Sequence, residues 1–390
     1  MKVQSTNQSS QSENNWNEVY QMISWWDAEK TRQAKIMVVG AGALGNEVLK
    51  NLALLNIGYI FLVDFDTIEY SNLSRSVLYR STDIGQKKAD VAAQRIREIN
   101  PNVTVQTVNG DIIIDIGLGV FRRMDVVIGC LDNRIARLYI NRHCFKVGKV
   151  WVDGAIENLA GQLVVYKPEI SCYECQLTER ENALIAYRLG CPDVAQRNAN
   201  FGRIPTTPIS ASIIGAMQTQ EALKVVFGND RNLMAGLRFQ YEGMNNMMLQ
   251  YKGDPLKEEC ASHSKLSDIV EAKDLSCTMS IKSLLSYLKN KFNTPSIRVL
   301  MPDEIVLEIT TKVSEVTSEL VILRGHLSED IANKYRQIVS EDIIITKSTN
   351  IVDDKFPHQD LSLKAIGIPP LQILPVETPR QYLLCGINWG

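Results

Sequence analysis

Short apolar runs alternate with helical patterns through the first half of the chain. Apolar runs bounded by polar or turn-forming residues predict buried strands, while apolar positions spaced three and four residues apart predict helices. The predicted elements are a strand at 35–40, a helix at 42–58, a strand at 59–66, a helix at 87–101, strands at 103–111 and 124–133, and a hairpin at 151–168. Strands that alternate with helices form parallel sheets covered on both faces. The sequence therefore predicts an α/β, Rossmann-like doubly wound domain.

The rest of the chain is predicted to form further units. A Ser/Asn/Gln-rich composition indicates a disordered amino-terminal tail, and a charged stretch late in the chain indicates a linker to a separate α+β unit. The predicted divisions are a tail at 1–15, a first domain at 16–265, a linker at 266–277 and the α+β unit at 278–390. The first domain is predicted to begin with an amphipathic helix at 16–33 and to contain an irregular loop at 176–208 followed by a helix at 210–228. The α+β unit is predicted to include strands at 296–301 and 304–310 and a helix at 329–339.

Composition and charge narrow the class of protein. The 390 residues are 45% hydrophobic, which is enough for buried cores. A net charge of -2, from 42 basic and 44 acidic residues, gives no bulk attraction for nucleic acid. No apolar run approaches the roughly 20 residues of a membrane span, and the amino terminus is polar. We therefore expect a globular, cytoplasmic protein that binds small molecules or proteins, and neither nucleic acid nor membranes.

A glycine-rich turn, GAGALG, joins the first predicted strand to the first helix. Such a turn lets the backbone approach a phosphate, and the helix amino terminus favours its negative charge. Gly40, Gly42 and Gly45 occupy the turn. Asp64, at the end of the next strand, is placed to bind a ribose, and Asp66 ends the same LVDFD motif and is assigned to the same site. These residues alone leave nicotinamide, flavin and ATP as alternatives.

Three further motifs, SNLSR, GQKK and CLDN, follow in order and favour a triphosphate. Attack on an α-phosphate requires cations on the triphosphate and a carboxylate for a metal ion, whereas hydride transfer does not. Arg75 and Lys88 supply the cations, and Asp132 supplies a carboxylate for Mg²⁺. Taken singly, the two cations are also explained as solvated charges and Asp132 as a helix cap, while Asn72 either orients a phosphate or closes a turn. Their joint order indicates a site that activates a carboxylate with ATP.

A C-x-x-C pair, Cys172 and Cys175, is followed downstream by a C-A-S-H pair, Cys260 and His263. Together they would form the Cys₃His ligand set of a tetrahedral zinc site. The alternatives are two ordinary cysteines in a turn with an unrelated histidine, or a redox pair, although the motif does not open a helix after a strand. Eight cysteines in a chain of this length indicate metal binding and catalysis rather than a disulfide framework.

Cys191 lies in the polar loop, in the sequence LGCPD. Most cysteines are small buried apolar residues, and that interpretation is open here too. The polarity of the loop and three nearby arginines, Arg188, Arg197 and Arg203, favour a reactive thiolate, whereas Asp193 disfavours it.

With these motifs in this order, residues 33–265 resemble the ubiquitin-like-protein activating enzymes of the ThiF/MoeB adenylyltransferase superfamily, which includes bacterial enzymes that adenylate sulfur-carrier proteins in molybdopterin and thiamine synthesis. The resemblance implies ATP, Mg²⁺ and Zn²⁺ as cofactors. It assigns Gly40, Gly42 and Gly45 to the ATP phosphates, Asp64 to the ribose, Asn72, Arg75 and Lys88 to phosphate contacts, Asp132 to magnesium, and Cys172, Cys175, Cys260 and His263 to zinc.

The resemblance also implies a reaction. In ubiquitin-type members a thioester-forming cysteine lies in the loop that follows the C-x-x-C, and that position matches Cys191. The closing run, 362–389, resembles the end of the ubiquitin-fold domain with which catalytic subunits of heterodimeric activators recruit a conjugating enzyme; an unrelated α+β domain is the alternative. The implied function is adenylation of the terminal glycine of a ubiquitin-like carrier, thioester formation on Cys191, and transfer to a conjugating enzyme of a bacterial or archaeal system.

Other functions stay open at this stage. The runner-up is an adenylyltransferase for a sulfur-carrier protein without a conjugating enzyme; a non-catalytic scaffold subunit and a nicotinamide oxidoreductase are the remaining alternatives. Two departures from the family bear on the site. The family usually has a fourth cysteine where this chain has His263, and it often has an arginine-containing segment before the first strand that reaches a partner's ATP. In this chain either Arg32 or Lys30 contacts the partner's ATP in place of that segment, or another subunit supplies the arginine. We therefore expect a homodimer or a hetero-oligomer.

Overall fold

In the part of the chain that the structure describes, the strands form two sheets, one of eight strands and one of six. The structure is a computed structural model that describes residues 16, 18–181, 205–266, 268–311, 317–323 and 343–388. Several sequence predictions lie outside the described residues: the tail at 1–15, the candidate nucleophile Cys191 with the nearby Arg188, Asp193, Arg197 and Arg203, and the helix at 329–339.

The first sheet combines a parallel half with an antiparallel half. Its strands are β1 (Lys35–Val39), β2 (Tyr59–Val63), β3 (Thr104–Val108), β4 (Val126–Gly129), β5 (Val150–Glu157), β6 (Ala160–Tyr166), β7 (Leu237–Glu242) and β8 (Met247–Lys252), in the order β3-β2-β1-β4-β5-β6-β7-β8. Neighbours from β3 to β5 are parallel, and those from β5 to β8 are antiparallel, which confirms the predicted hairpin as β5 and β6. The chain order reverses between β1 and β4, the kind of position where doubly wound sheets bind ligands.

Helices cover both faces of this sheet. Among the described residues the α-helices are α1 (Ala28–Gln33), α2 (Ala43–Leu54), α3 (Lys88–Ile99), α4 (Leu118–Arg123), α5 (Arg134–Lys146), α6 (Pro208–Val226) and, in the second unit, α7 (Ile281–Phe292). In β1, Ile36 and Val38 belong to the core shared with α2, α3 and α6, whereas Met37 and Val39 belong to the core shared with α4 and α5. Alternate residues of a strand point to opposite faces, so a strand covered on both sides is apolar throughout. The predicted doubly wound α/β architecture is confirmed.

The second sheet belongs to the α+β unit. Its strands are β9 (Ile269–Ser276), β10 (Arg298–Thr311), β11 (Thr317–Leu323), β12 (Ile343–Val352), β13 (Ile373–Glu377) and β14 (Tyr382–Asn388), in the order β11-β10-β13-β14-β9, with β12 also paired to β10. β9 and β14 are parallel, and the other pairs are antiparallel. Helix α7 packs into this core with Ile281, Leu284 and Leu288, all 0% exposed, because their spacing places them on one face.

Two predictions in the second unit are wrong. The segment 266–277, predicted as a linker from its charges, consists largely of strand β9, in which Ala272 and Leu275 are buried in the core of the second unit. The partner of β9 is β14, more than a hundred residues later, and local composition cannot reveal such a pairing. The strands predicted at 296–301 and 304–310 are one strand, β10, with shifts in its pairing register.

The helix predicted at 16–33 is also wrong. This segment forms a 3₁₀ turn at Tyr20–Met22 and then the short helix α1. Between them the Trp26 ring packs tilted against Tyr20 and edge-to-face against Phe227, with centroid separations of 4.6 and 5.4 Å. Asp27 then begins α1 as its cap, accepting hydrogen bonds from two backbone amides. Among the described residues, none of the helices has the length and apolar character needed to cross a membrane.

The two units meet at helix α4. The amide of Gly119 donates a hydrogen bond of 2.8 Å to the carbonyl oxygen of Leu371, and a Cβ at position 119 would lie 2.3 Å from that oxygen. The Leu371 side chain, 3% exposed, joins the core of the first unit. The side-chain oxygen of Gln372 accepts a hydrogen bond of 3.0 Å from the amide of Leu118. Glycine at position 119 therefore permits a close backbone contact between the units.

Candidate functional site

A turn with little room for side chains follows β1. Gly40 has a φ of +97°, and a Cβ there would lie 2.4 Å from the carbonyl oxygen of Cys130; a Cβ at Gly45 would lie 2.0 Å from the carbonyl oxygen of Gly40. Gly42 differs, because no atom of the described residues lies within 4 Å of a Cβ built there. The turn thus packs against the end of β4 and leaves open space at the amino terminus of α2. Backbone amides and the helix dipole favour an anion at such a position.

Asp64, at the carboxyl end of β2, holds this glycine turn in place. Its carboxylate oxygens accept hydrogen bonds from the backbone amides of Ala41 (2.7 Å) and Asp66 (2.8 Å). Burial raises the pKa of Asp64, and the positive charge of Lys88 opposes this rise. Each oxygen keeps a further lone pair that a ligand hydroxyl can use.

Lys88 and Asp66 form an ion pair beside the same turn. The Lys88 Nζ lies 2.7 Å from Asp66 Oδ2, and the lysine side chain is 10% exposed against 49% for the aspartate. The backbone amide of Lys88 also donates to the Asp66 carbonyl oxygen, at 3.1 Å. Lys88 is therefore not a solvated surface charge, and its ammonium group is held at the first turn of α3.

The segment after β2 places Asn72 and Arg75 around a 3₁₀ turn. The Asn72 side-chain oxygen accepts a hydrogen bond of 2.9 Å from the amide of Glu69, so Asn72 closes the turn, one of the two roles considered for it. The half-buried Arg75 guanidinium donates to the carbonyl oxygen of Ser71 at 2.8 Å. No carboxylate of the described residues forms a salt bridge with Arg75, so its charge can act on a bound anion.

Asp132 lies just beyond β4, exposed to solvent. The residue that caps helix α5 is Asn133, whose side-chain oxygen accepts a hydrogen bond of 2.8 Å from the amide of Ile135. The alternative that Asp132 is the cap is therefore wrong. Within the described part of the chain, the Asp132 carboxylate has no hydrogen bond or salt bridge. Because β2, β1 and β4 are parallel neighbours, this carboxylate is at the same edge of the sheet as the glycine turn.

Asn46 and Tyr79 position the turn but were missed by the sequence reasoning. The Asn46 side-chain nitrogen donates to the carbonyl oxygens of Ala41 (2.7 Å) and Gly42 (3.0 Å), and its oxygen accepts from the amide of Leu78 (2.8 Å). The Tyr79 hydroxyl donates to the Ala41 carbonyl oxygen at 2.6 Å. The sequence does contain one signal for Asn46, because it is a polar residue on the apolar face of a predicted helix. A buried polar side chain requires hydrogen-bonding partners, so such a residue indicates a contact with a nearby backbone segment.

Arg137 and Asp153 form a second missed network, beneath the strand ends. The Arg137 Nε lies 3.0 Å from Asp153 Oδ1, and the side chains are 11% and 5% exposed. Arg137 also donates to the carbonyl oxygen of Leu131, the residue before Asp132. Buried Gln218, on α6, donates to the carbonyl oxygen of Gly129 at 2.8 Å. These bonds hold the backbone on both sides of Cys130 and so orient the start of the Asp132 segment.

The structure brings Cys172, Cys175, Cys260 and His263 together, with their candidate ligand atoms all within 4.8 Å of one another. The Sγ atoms of Cys172 and Cys260 are 3.9 Å apart, and Cys175 Sγ lies 3.3 Å from His263 Nε2. Two thiolates bound to a tetrahedral zinc ion at about 2.3 Å would be about 3.8 Å apart. The three cysteines are free thiols, and the arrangement fits one tetrahedral metal ion.

Polar side chains surround this cluster. The Asn141 amide nitrogen donates to Cys172 Sγ (3.2 Å) and to Ser262 Oγ (2.7 Å), and the Ser262 hydroxyl donates to Glu174 (2.5 Å). Partners of this kind orient metal ligands. Burial raises the pKa of Cys260 to about 12, so its thiol is protonated at neutral pH without a metal, and metal binding would release its proton.

Comparison with known proteins places this site in a family. Residues 18–262 match the ThiF family, which is more than half of the chain. The chain belongs to the ThiF family.

The relatives of this ThiF-family chain include three kinds of protein. It is 28% identical over 255 residues to the adenylyltransferase and sulfurtransferase MOCS3 of Culex quinquefasciatus, covering 65% of this chain and 55% of that protein. It is 32% identical over 222 residues to the sulfur carrier protein adenylyltransferase of Thermus thermophilus, and the match covers 55% of this chain and 77% of that protein. It is 35% identical over 163 residues to the SUMO-activating enzyme subunit 2 of Dictyostelium discoideum, and the match covers 41% of this chain and 25% of that protein. The chain thus spans about half the length of MOCS3 (55%) and of a probable molybdopterin-synthase adenylyltransferase of Porphyra purpurea (56%), to which it is 31% identical over 229 residues.

A solved structure shares the fold of the first unit. Escherichia coli MccB with ATP superposes with a TM-score of 0.52 at 21% identity, covering 65% of this chain and 75% of MccB.

The two amino-terminal cations considered as ATP contacts have partners within the ThiF-family chain. Arg32 forms a salt bridge with Glu29, and the Lys30 ammonium group donates to the carbonyl oxygen of Phe227 at 3.2 Å. Neither bond brings its side chain to the glycine turn. A contribution of either cation to the site therefore stays a prediction.

The packing of the glycine turn predicts losses of stability of different size for two alanine substitutions. Gly45→Ala should lower the free energy of unfolding by about 1–3 kcal/mol, because the new methyl group collides with a backbone oxygen in a packed region. Gly42→Ala should cost less than about 1 kcal/mol, because its methyl group enters open space at a helix cap position. Urea unfolding of both variants measures this, and equal destabilisation would contradict the packing.

Proposed function

We propose that this ThiF-family chain activates the terminal carboxylate of a carrier protein by adenylation. The observation that carries the proposal is the open space beside Gly42, at the edge where β4, β1 and β2 end next to one another. Amides at the start of α2 and the unneutralised charge of Arg75 suit the phosphates of ATP. Two relatives are named as adenylyltransferases, which supports the same activity here.

In the proposed step, an oxygen of the carrier's terminal glycine carboxylate attacks the α-phosphorus of ATP. The bond to the β-phosphate breaks, pyrophosphate leaves, and a mixed acyl–phosphate anhydride, the acyl adenylate, forms. Negative charge builds on the phosphate oxygens, and Arg75 and Lys88 neutralise it. Lys88 is preorganised for this role by Asp66, which fixes its ammonium group. Asp64 would accept hydrogen bonds from the ribose hydroxyls, and the Nδ2 atom of Asn72 would face a phosphate.

Asp132 fits the role of magnesium ligand. Its carboxylate is exposed, has no partner in the described part of the chain, and is an oxygen ligand of the kind that Mg²⁺ prefers. When bound, the ion would neutralise charge on the phosphates. Arg137 and Gln218 donate hydrogen bonds to backbone carbonyl oxygens just before Asp132, and these bonds restrain the position of its carboxylate.

The second proposed step is thioester formation on Cys191. The thiolate of Cys191 attacks the acyl carbon of the adenylate, AMP leaves, and the carrier is held as a thioester until a conjugating enzyme accepts it. The α+β unit, proposed as a ubiquitin-fold domain, would dock that enzyme. The 35% identity to a subunit of a SUMO-activating enzyme favours this version. A homodimer or hetero-oligomer that completes the ATP site belongs to the same proposal.

The second candidate is an adenylyltransferase that serves a sulfur-carrier protein without a conjugating enzyme. The observation in its favour is the 32% identity to the Thermus thermophilus sulfur carrier protein adenylyltransferase, of which the match covers 77%. A non-catalytic scaffold is disfavoured by Arg75, Lys88 and Asp132 at one sheet edge, and it would show no ATP–pyrophosphate exchange. Both candidates share the first chemical step, so the fate of the adenylate decides between them.

The Cys₃His cluster would hold a structural zinc ion. Four side chains fill the tetrahedral ligand set, and no position is left for a substrate, which is the pattern of a structural site. Zinc there would join the C-x-x-C turn after β6 to the segment that leads into β9.

Replacement of Asp132 tests the adenylation site. Asp132→Ala should reduce ATP–pyrophosphate exchange by about a hundredfold or more, because a catalytic metal supplies several kcal/mol of charge stabilisation. Asp360→Ala, at another exposed aspartate, is the matched control and should exchange normally. Near-normal exchange by Asp132→Ala in the presence of Mg²⁺ would refute the magnesium assignment.

Replacement of Cys172 tests the zinc site. Cys172→Ser should release one zinc ion per chain and clearly destabilise the protein, since structural zinc contributes about 10–16 kcal/mol of apparent binding free energy in small domains. Cys144→Ser, at a cysteine that is equally buried outside the cluster, loses similar packing and should retain the metal. Metal analysis and thermal unfolding measure both effects; folded wild-type protein without zinc would contradict the site.

Replacement of Cys191 separates the two candidate functions. Cys191→Ala should retain pyrophosphate exchange and lose the thiol-sensitive carrier adduct, because the nucleophile is needed only after the adenylate exists. Cys385→Ala, at a buried cysteine of the second unit, should keep both activities. If Cys191→Ala still forms a reducible carrier adduct on non-reducing gels, the nucleophile is another cysteine; if the wild type forms none, the sulfur-carrier function is favoured.

A further inference from the structure

The peptide group between Ala41 and Gly42 is fixed from its carbonyl side. The Ala41 carbonyl oxygen accepts two hydrogen bonds from side chains, one from the Tyr79 hydroxyl at 2.6 Å and one from the Asn46 amide nitrogen at 2.7 Å. Tyr79 is 4% exposed and Asn46 is 0% exposed. Because Asn46 lies on α2 and Tyr79 lies in the segment before α3, two separate parts of the chain hold one oxygen atom of the glycine turn.

The preceding peptide group, between Gly40 and Ala41, is fixed as well. Its N–H, which belongs to Ala41, donates a hydrogen bond of 2.7 Å to Asp64 Oδ2. Its carbonyl oxygen is the atom that a Cβ at Gly45 would approach to 2.0 Å. Rotation of the backbone at Ala41 would therefore break hydrogen bonds of buried groups, which is costly because no water is available to replace them.

These bonds determine the direction of the Gly42 N–H. In a planar trans peptide group the C=O and N–H bonds point in opposite directions, and the described part of the chain contains no cis peptide bond. The Gly42 N–H therefore points away from the Tyr79 hydroxyl and the Asn46 amide. It donates no hydrogen bond to any described residue. A Cβ at Gly42 would meet open space, so this unused donor lies where a ligand has room to bind.

We propose that Tyr79 and Asn46 are positioning residues, which hold the Ala41 carbonyl oxygen and thereby orient the Gly42 N–H toward a phosphate of the bound nucleotide. This inference rests on the proposed adenylation and identifies the side chains that prepare one of its phosphate donors. Both residues act through the backbone and not by contact with the nucleotide. A donor that is oriented before the phosphate arrives needs no rearrangement on binding. Burial raises the pKa of Tyr79, so its hydroxyl keeps its proton and can donate at neutral pH.

Tyr79→Phe tests this role, because it removes the hydroxyl and keeps the buried ring. The probe is α,β-methylene-ATP with Mg²⁺, titrated calorimetrically into the full chain. The variant should bind the probe about three- to tenfold more weakly than the wild type, since one of the two hydrogen bonds to the Ala41 carbonyl oxygen remains.

Tyr166→Phe is the matched control. The Tyr166 side chain is also 4% exposed, and its hydroxyl donates a hydrogen bond of 3.0 Å to Gln176. It lies on β6, which β4 and β5 separate from β1 and the glycine turn. Both variants lose one hydroxyl with one hydrogen bond, so thermal unfolding should show similar decreases in Tm. Only Tyr79→Phe should lose affinity for the probe.

The amide resonance of Gly42 in NMR spectra gives a readout that a general loss of stability does not move. In the wild type the Gly42 amide proton should shift downfield when the probe binds, because it gains a hydrogen bond to a charged oxygen. The shift should be smaller in Tyr79→Phe and of wild-type size in Tyr166→Phe.

The inference is overturned if Tyr79→Phe binds the probe as tightly as the wild type, if Tyr166→Phe loses as much affinity, or if the probe leaves the wild-type Gly42 resonance unmoved. A failure of the proposed function looks different. In that case the wild type binds the probe and shows the Gly42 shift, but it catalyses no carrier-dependent ATP–pyrophosphate exchange. Folded wild-type protein that does not bind the probe would overturn both.

Discussion

The close contact between the glycine turn and the end of β4 is the constraint on which the candidate site depends. The Cα atoms of Gly40 and Gly45 approach backbone oxygens at distances that exclude a side chain. The turn is then held by side chains from two other segments, Asp64 at the end of β2 and Asn46 on α2. Within the same turn, a Cβ at Gly42 would meet open space. One steric condition thus determines the position at which we propose that a phosphate binds.

The charged groups at this edge follow from the same arrangement. Asp64 is partly desolvated, and Lys88 and two backbone amides offset the cost of burying its charge. Arg75 and Asp132 are different, because neither has a salt bridge in the described part of the chain. A site that must bind a highly charged nucleotide requires both kinds of group, some that fix the backbone and some whose charge remains available. The buried pair of Arg137 and Asp153 belongs to the first kind.

A second set of contacts connects the two halves of the chain. The Cys₃His cluster brings the turn after β6 next to the segment before β9, and the Leu266 amide then donates to the carbonyl oxygen of Lys146 on α5 at 3.0 Å. A second contact between the units lies late in the chain, where Leu371 packs into the core of the first unit beside α4. The α+β unit is therefore attached to the first unit at two places far apart in sequence.

The sequence by itself determined the doubly wound class, the glycine turn, the edge on which Asp64 and Asp132 lie, and the four residues of the metal cluster. Strand and helix periods, turn glycines and the spacing within the C-x-x-C and C-A-S-H pairs each depend on residues close in the chain. The two pairs are 88 residues apart, and they were expected to meet because a tetrahedral zinc ion needs four ligands. Only the tertiary structure decided that 266–277 contains strand β9, that Asn133 rather than Asp132 caps α5, and that Asn46 and Arg137 support the site. It also decided that Leu371 reaches the first unit's core through a contact that requires Gly119. The Asn133 cap is local, since its partner Ile135 is two residues away, but two adjacent residues could each have capped the helix and only the backbone geometry chose between them. The other contacts depend on partners distant in sequence, and neither composition nor periodicity specifies which distant segment will satisfy a buried amide or pair with an unpaired strand edge.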